Sequence, residues 1–127
     1  MTFNRIAAKK LYTMLSSGVH NIDVVLECKE QFEDSFNKSK KFDSANLYFM
    51  MLIYWWLIPK NYYLTEFVHK ILGILEYLPE DERMIGNIDL VTRTKILRKY
   101  FAKDDISRFS KSSSRLTKDI FQQFGWW

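Results

Sequence analysis

Residues 43–79, DSANLYFMMLIYWWLIPKNYYLTEFVHKILGILEYLP, constrain the fold more than any other part of this chain. Residues 47–59 are apolar or aromatic at nearly every position, a pattern that an amphipathic surface helix does not tolerate. Outside a membrane such a helix is buried over most of its circumference, so other helices have to surround it. The run is thirteen residues long, short of the roughly 20 that span a bilayer. A buried helix in a soluble protein is the expectation. Pro59 ends it, and a short loop leads to a second helix. There Val68, Ile71, Leu72, Leu75 and Leu78 recur at helical spacing and line one face. Nothing in the stretch has the character of a catalytic motif; it reads as the spine of a helical scaffold.

The same periodicity predicts helices on either side. Ala7, Leu11, Met14 and Leu15 share a face over residues 6–15, and Ser16-Ser17-Gly18 stops that helix. Asn21 can cap a second helix running to about Lys38, with Val25, Cys28, Phe32 and Phe36 on its buried stripe. A polar NKSKK break precedes Ser44, placed to cap the central helix; Thr65 is placed to cap the next. Glu80, Asp81 and Glu82 suit the positive end of a short helix after Pro79, broken by Gly86-Asn87. Leu90, Thr94, Leu97 and Phe101 define another helix. Asp104 or Asp105 caps the last, where Ile106, Phe109, Ser113, Leu116 and Ile120 follow three- and four-residue steps. Ser113 either lets two helices approach closely or marks a local irregularity within Ser112-Ser113-Ser114. No segment alternates like a strand. The expectation is an all-α fold of about seven helices in a single domain over residues 1–127.

Composition narrows the function classes. With 47% hydrophobic and 17% aromatic residues, the chain has ample material for a core, which argues against disorder. One cysteine, Cys28, rules out an internal disulfide and suits a reducing compartment. The opening residues lack the continuous apolar core of a signal peptide. His20 and His69 stand far apart with no metal-ligand partner at helical spacing, so no zinc site is expected. The four glycines never cluster into a phosphate-cradling loop. Cys28 has no neighbouring base, and adjacent acids at a helix start are ordinarily caps. The reading is a non-enzyme without cofactor or metal.

Binding is what remains. Residues 90–118 hold nine basic residues (Arg93, Lys95, Arg98, Lys99, Lys103, Arg108, Lys111, Arg115 and Lys118) against Asp104 and Asp105. This segment carries +7 and the rest of the chain −3, a docking surface for something acidic or simply a solvated basic face. Two bulky loops are expected, one around Tyr62, Tyr63 and Leu64, the other around Tyr100, Phe101, Ala102 and Lys103. Aromatics at such junctions commonly plug the ends of a core. In a helical stack they can instead form an aromatic pocket rimmed by Lys60, Lys99 and Lys103, suited to a short peptide with an apolar anchor and acidic flanks.

The order Trp56-Leu57-Ile58-Pro59, a loop, then Ile71-Leu72-Gly73-Ile74-Leu75-Glu76-Tyr77-Leu78-Pro79 resembles the core of the Iws/Spn ("interacts-with-Spt-six") transcription elongation factors. Further on, Ile85, Ile88-Asp89-Leu90-Val91, Ile96-Leu97-Arg98-Lys99 and the basic segment 108–121 resemble that family's downstream order. The loop after Pro59 is shorter than the family's, and the glycines of its Ser-Gly-Leu-Gly turn are missing. Trp126 and Trp127 do not align with the tryptophan of the family's last helix. The resemblance implies a TFIIS N-terminal-domain-like fold, a right-handed HEAT/armadillo-like stack, with amino-terminal helices over about 5–42 and the core over about 43–124. It implies a nuclear, monomeric adaptor for the acidic amino-terminal segment of the histone chaperone and elongation factor Spt-six. RNA polymerase II would be reached indirectly and no membrane is involved. On this reading Tyr62, Tyr63, Leu64 and Phe101 contact the apolar anchor, and Arg98, Lys99 and Lys103 the acids. The alternative is sequence-independent nucleic-acid binding through the basic surface of residues 90–118.

Overall fold

The computed structural model describes residues 5–17, 21–38 and 43–125. Among these it forms six helices: α1 (Arg5–Ser17), α2 (Ile22–Lys38), α3 (Ser44–Leu57), α4 (Leu64–Glu76), α5 (Leu90–Ala102) and α6 (Ile106–Gln123). Two short strands, β1 (Met84–Ile85) and β2 (Ile88–Asp89), complete it. The chain is mostly helical, as the periodicity predicts. It divides into two compact units, Met1–Val68 and His69–Trp127.

In the first unit α1 packs on α2 and α2 on α3. Small residues allow the first contact. Ala7 and Ala8 are fully buried, and the Cys28 thiol points at the Ala7 carbonyl 3.6 Å away. Lys10 and Glu27 close the same seam at the surface. Asn21 caps α2 as expected, its side-chain oxygen accepting from Asp23 N–H at 2.9 Å. The expected stripe of Val25, Cys28 and Phe32 is buried, but Phe36, one turn further on, is exposed.

Helix α3 is buried from Ala45 to Tyr54 without a break, which is what its continuous apolar run demands. Asp43, not Ser44, caps it, accepting from Asn46 N–H at 3.2 Å. An aspartate three residues before a free N–H fills the cap geometry, and Ser44 then takes the first helical position. Phe32 and Phe49 stack with ring centres 5.7 Å apart. Asn46 lies among them, donating from Nδ2 to the Phe32 carbonyl at 3.2 Å. Tyr54 reaches back to donate to Glu33 at 2.9 Å, and Lys29 holds the same carboxylate at 2.7 Å. Burial first, and Glu33 second, push the Tyr54 phenol far above its ordinary range.

Helix α4 starts at Leu64, so Thr65 is inside it and does not act as the cap. Asn61 does the local work, its side-chain oxygen accepting from Tyr63 N–H at 3.2 Å. Val68, Ile71, Leu72, Leu75 and Leu78 are all buried, as their spacing predicts.

In the second unit α5 packs on α6, and β1 lies against α5. The short helix expected after Pro79 does not form. Residues 79–83 turn instead, with Glu82 N–H on the Pro79 carbonyl at 2.9 Å. A minimal antiparallel hairpin follows, pairing Met84 with Asp89 and Ile85 with Ile88. Gly86 makes its turn at φ 59°, where a Cβ would be strained. Six helices therefore stand among the described residues where about seven were expected.

Asp89 ends the hairpin and caps α5, accepting from the Thr92 hydroxyl at 3.0 Å. At the other end of α5, Asp104 adopts φ 55°. Asp104 N–H bonds the Phe101 carbonyl at 3.1 Å, and Asp105 N–H bonds the Tyr100 carbonyl at 2.9 Å. This is the Schellman arrangement, with aspartate where glycine is usual. Asp105 then caps α6 by accepting from Arg108 N–H at 3.1 Å. Phe109, Ser113, Leu116, Thr117, Ile120 and Phe121 form the buried face of α6. Ser113 is thus a small residue at a helix contact, its hydroxyl returned to the Ser110 carbonyl at 3.1 Å. Ile106, expected on that face, is exposed.

Candidate functional site

The tyrosine turn belongs to the first unit. Lys60 and Asn61 N–H groups both bond the Leu57 carbonyl at 2.9 Å, and Thr65 N–H bonds the Tyr62 carbonyl at 3.0 Å. The backbone is therefore fixed while the two rings project outward: Tyr62 is 78% and Tyr63 81% exposed. Leu64, grouped with them from the sequence, is buried in the first turn of α4 and offers nothing to a partner.

The other expected group lies at the carboxyl end of α5, in the second unit. Tyr100, Phe101 and Ala102 belong to the last turn of the helix, so the loop itself is only residues 103–105. Phe101 is half-buried. His69 meets its ring edge-on at 4.6 Å, and Phe109 lies 5.7 Å away on the other side. Lys99 and Lys103 are exposed, each two residues from Phe101 along the chain and so on a different side of the helix from its ring. The result is a partly open ring edge, which suits an apolar side chain of a partner.

Arg98 is placed differently. Its guanidinium donates to Glu76 at 2.7 Å, tying α5 to α4. Arg93 is likewise engaged, pairing with Asp119 of α6 at 2.9 Å. These two arginines brace the helices of their unit. The other exposed cations of residues 90–118 are Lys95 and Lys99 on α5, Lys103 just after it, and Arg108, Lys111, Arg115 and Lys118 along α6. Sequence alone could not sort them, because the acids that claim Arg98 and Arg93 lie 22 and 26 residues away along the chain.

A feature that the sequence did not announce is a cavity of about 410 Å³ at the hairpin end of the second unit. Asn87, Asp89, Thr92, Arg93, Asp119 and Gln123 are among its walls. Its polar groups already satisfy one another: Gln123 donates to Asn87 at 2.7 Å and Arg93 to Asp119. Below it, Arg83 makes a two-pronged hydrogen bond to Asp89, with Nε to Oδ1 at 3.1 Å. That bond, with help from Thr92, lowers the Asp89 carboxyl to about 2. The arrangement locks hairpin to helix, and no unpaired acid or base is presented to the cavity.

Cys28 has the environment of a core residue. Burial pushes its thiol above the ordinary value, and Glu27 adds to the effect, the reverse of what a nucleophile needs. Among the described residues no group of three or more His, Cys, Asp or Glu is placed to hold a metal ion. No described helix is long and apolar enough to cross a membrane. His20 and the paired Trp126 and Trp127 lie outside the described residues.

No protein-family model, curated protein or solved structure matches this chain.

Proposed function

We propose that this protein is a non-enzymatic adaptor of the TFIIS N-terminal-domain type. Its partner is a short acidic, aromatic-bearing segment of the elongation factor Spt-six, met in the nucleus and linked indirectly to RNA polymerase II. The observation that carries this reading is the tyrosine turn. Two adjacent rings stand almost fully in water on a backbone held by its own hydrogen bonds. They contribute little to the core, and a pre-ordered aromatic pair loses little entropy when a ligand covers it. Phe101 supplies, in its own unit, a partly open apolar edge, and Lys99 and Lys103 add exposed positive charge near the same end of α5. Each group is a contact surface in its own right. Arg98 and Leu64 drop out of the contact set, because one is paired with Glu76 and the other is buried.

The test is a fluorescence-anisotropy titration with a labelled acidic, aromatic-containing peptide from the Spt-six amino-terminal region. An otherwise identical peptide with its apolar anchors changed to alanine runs alongside. Binding should be saturable and lost in the alanine peptide. The double substitution Tyr62→Ala/Tyr63→Ala should weaken it at least about tenfold, the scale of an aromatic anchor. Both tyrosines are exposed, so the variant keeps its fold, which circular dichroism checks. Phe101→Ala should weaken binding similarly. Unchanged affinity in both variants would sink the assignment.

A further inference from the structure

Helix α6 carries a second surface whose chemistry differs from that of the tyrosine turn and the α5 end. Arg108, Lys111, Arg115 and Lys118 follow steps of three, four and three residues, and all four are exposed. At about 100° and 1.5 Å per residue they fall within an arc of about 80° and extend over about 15 Å. They lie opposite the buried face formed by Phe109, Ser113, Leu116 and Ile120. The one acid within α6, Asp119, is turned to Arg93 at 2.9 Å and is neutralised there. Asp105 holds Arg108 only loosely, at 3.7 Å, and leaves the arginine side chain 70% exposed. The four exposed cations thus form a straight stripe along the outer face of α6, with Asp119 directed to Arg93.

We propose that this outer face of α6 binds the phosphate backbone of a nucleic-acid duplex. The stripe is bordered by Ser107, Ser114 and Gln122 and has no apolar or aromatic side chain among its cations. A peptide's apolar anchor finds nothing to hold there. A single strand finds no ring on which to stack its bases. A duplex needs neither. Along 15 Å of axis it presents about nine phosphate charges, a density that no helical peptide matches on one face. Contacts of this kind position without reading sequence.

The whole chain is titrated into a fluorescein-labelled random 20-base-pair DNA duplex, from 50 to 200 mM salt. Four phosphate contacts predict a log–log salt slope of about −3.6, hence a loss of about 100-fold across that range. The variant Arg108→Gln/Lys111→Gln/Arg115→Gln/Lys118→Gln should bind at least tenfold more weakly at 50 mM, with a flattened slope. The control Lys95→Gln/Lys99→Gln/Lys103→Gln removes almost as much charge from α5 and should change duplex affinity less than threefold. Equal binding by wild type and the α6 variant, or an equal loss in the control, overturns the proposal. So does a random single strand that binds as tightly as the duplex. The acidic peptide completes the set. Its affinity should survive the α6 substitutions, and if it falls with them while duplex binding does not, the stripe is a peptide surface and the duplex proposal fails. Loss of the duplex arm leaves the peptide arm measurable on its own, so the two readings fail separately.

Discussion

Thr94 is fully buried on α5, and its hydroxyl has no hydrogen-bond partner. A hydroxyl removed from water without replacement costs on the order of 1–3 kcal/mol. Valine keeps the shape and deletes the oxygen. Thr94→Val should therefore raise stability by about 1 kcal/mol, seen as an increase of a few degrees in Tm; an unchanged or lowered Tm would show that the hydroxyl is satisfied in solution. From the sequence Thr94 was legible as a position on the buried face, through its spacing with Leu90, Leu97 and Phe101. Its lack of a partner was not, because that depends on what the neighbouring helix brings opposite. The same limit applies to Phe36 and Ile106. Each keeps its stripe's spacing, yet each is exposed near a helix end. Periodicity identifies a face; it does not say how far along the helix something covers it.

At the scale of elements, the junction of hairpin and α5 shows why one expected helix was lost. Glu80, Asp81 and Glu82 suggested a helix start, but Gly86-Asn87 between Ile85 and Ile88 carries the stronger local signal, a two-residue turn between apolar neighbours. The strands are two residues each, too short for alternation to be visible. Asp89 settles the competition by capping α5 while accepting both prongs of Arg83. Its carboxyl, held at about 2 chiefly by the Arg83 hydrogen bond, lies below the ordinary aspartate value of about 3.9. The sign follows: this interaction contributes its full stability above about pH 4 and loses it as pH falls toward 2. Asp89→Asn keeps a good capping residue but lacks the charge. The variant should melt below wild type at pH 7, and the gap should close between pH 4 and pH 2. A gap that stays constant over that interval would mean that the Arg83 pair contributes nothing to stability.

Over the whole molecule, charge is unevenly assigned. The chain's net +4 is the sum of +7 in residues 90–118 and −3 elsewhere. The blockwise excess was plain in the sequence; the division of labour within it was not. Arg93 and Arg98 pair with Asp119 and Glu76, and the remaining cations are exposed on α5, the loop after it and α6. A field of this kind acts before contact. On the proposed adaptor reading it would draw an acidic segment in from solution, and salt shortens its reach from about 10 Å at 0.1 M to about 3 Å at 1 M. On the same reading the aromatic contacts would act afterwards, once the segment is seated. Stopped-flow association of the acidic peptide should therefore slow about tenfold between 50 and 500 mM salt, while its dissociation rate changes little. The Tyr62→Ala/Tyr63→Ala variant should show the reverse pattern: near-normal association at every salt concentration and faster dissociation. If salt instead raises the dissociation rate and leaves association untouched, the cations are contact residues in the bound state, and the tyrosine turn loses its role as the anchor.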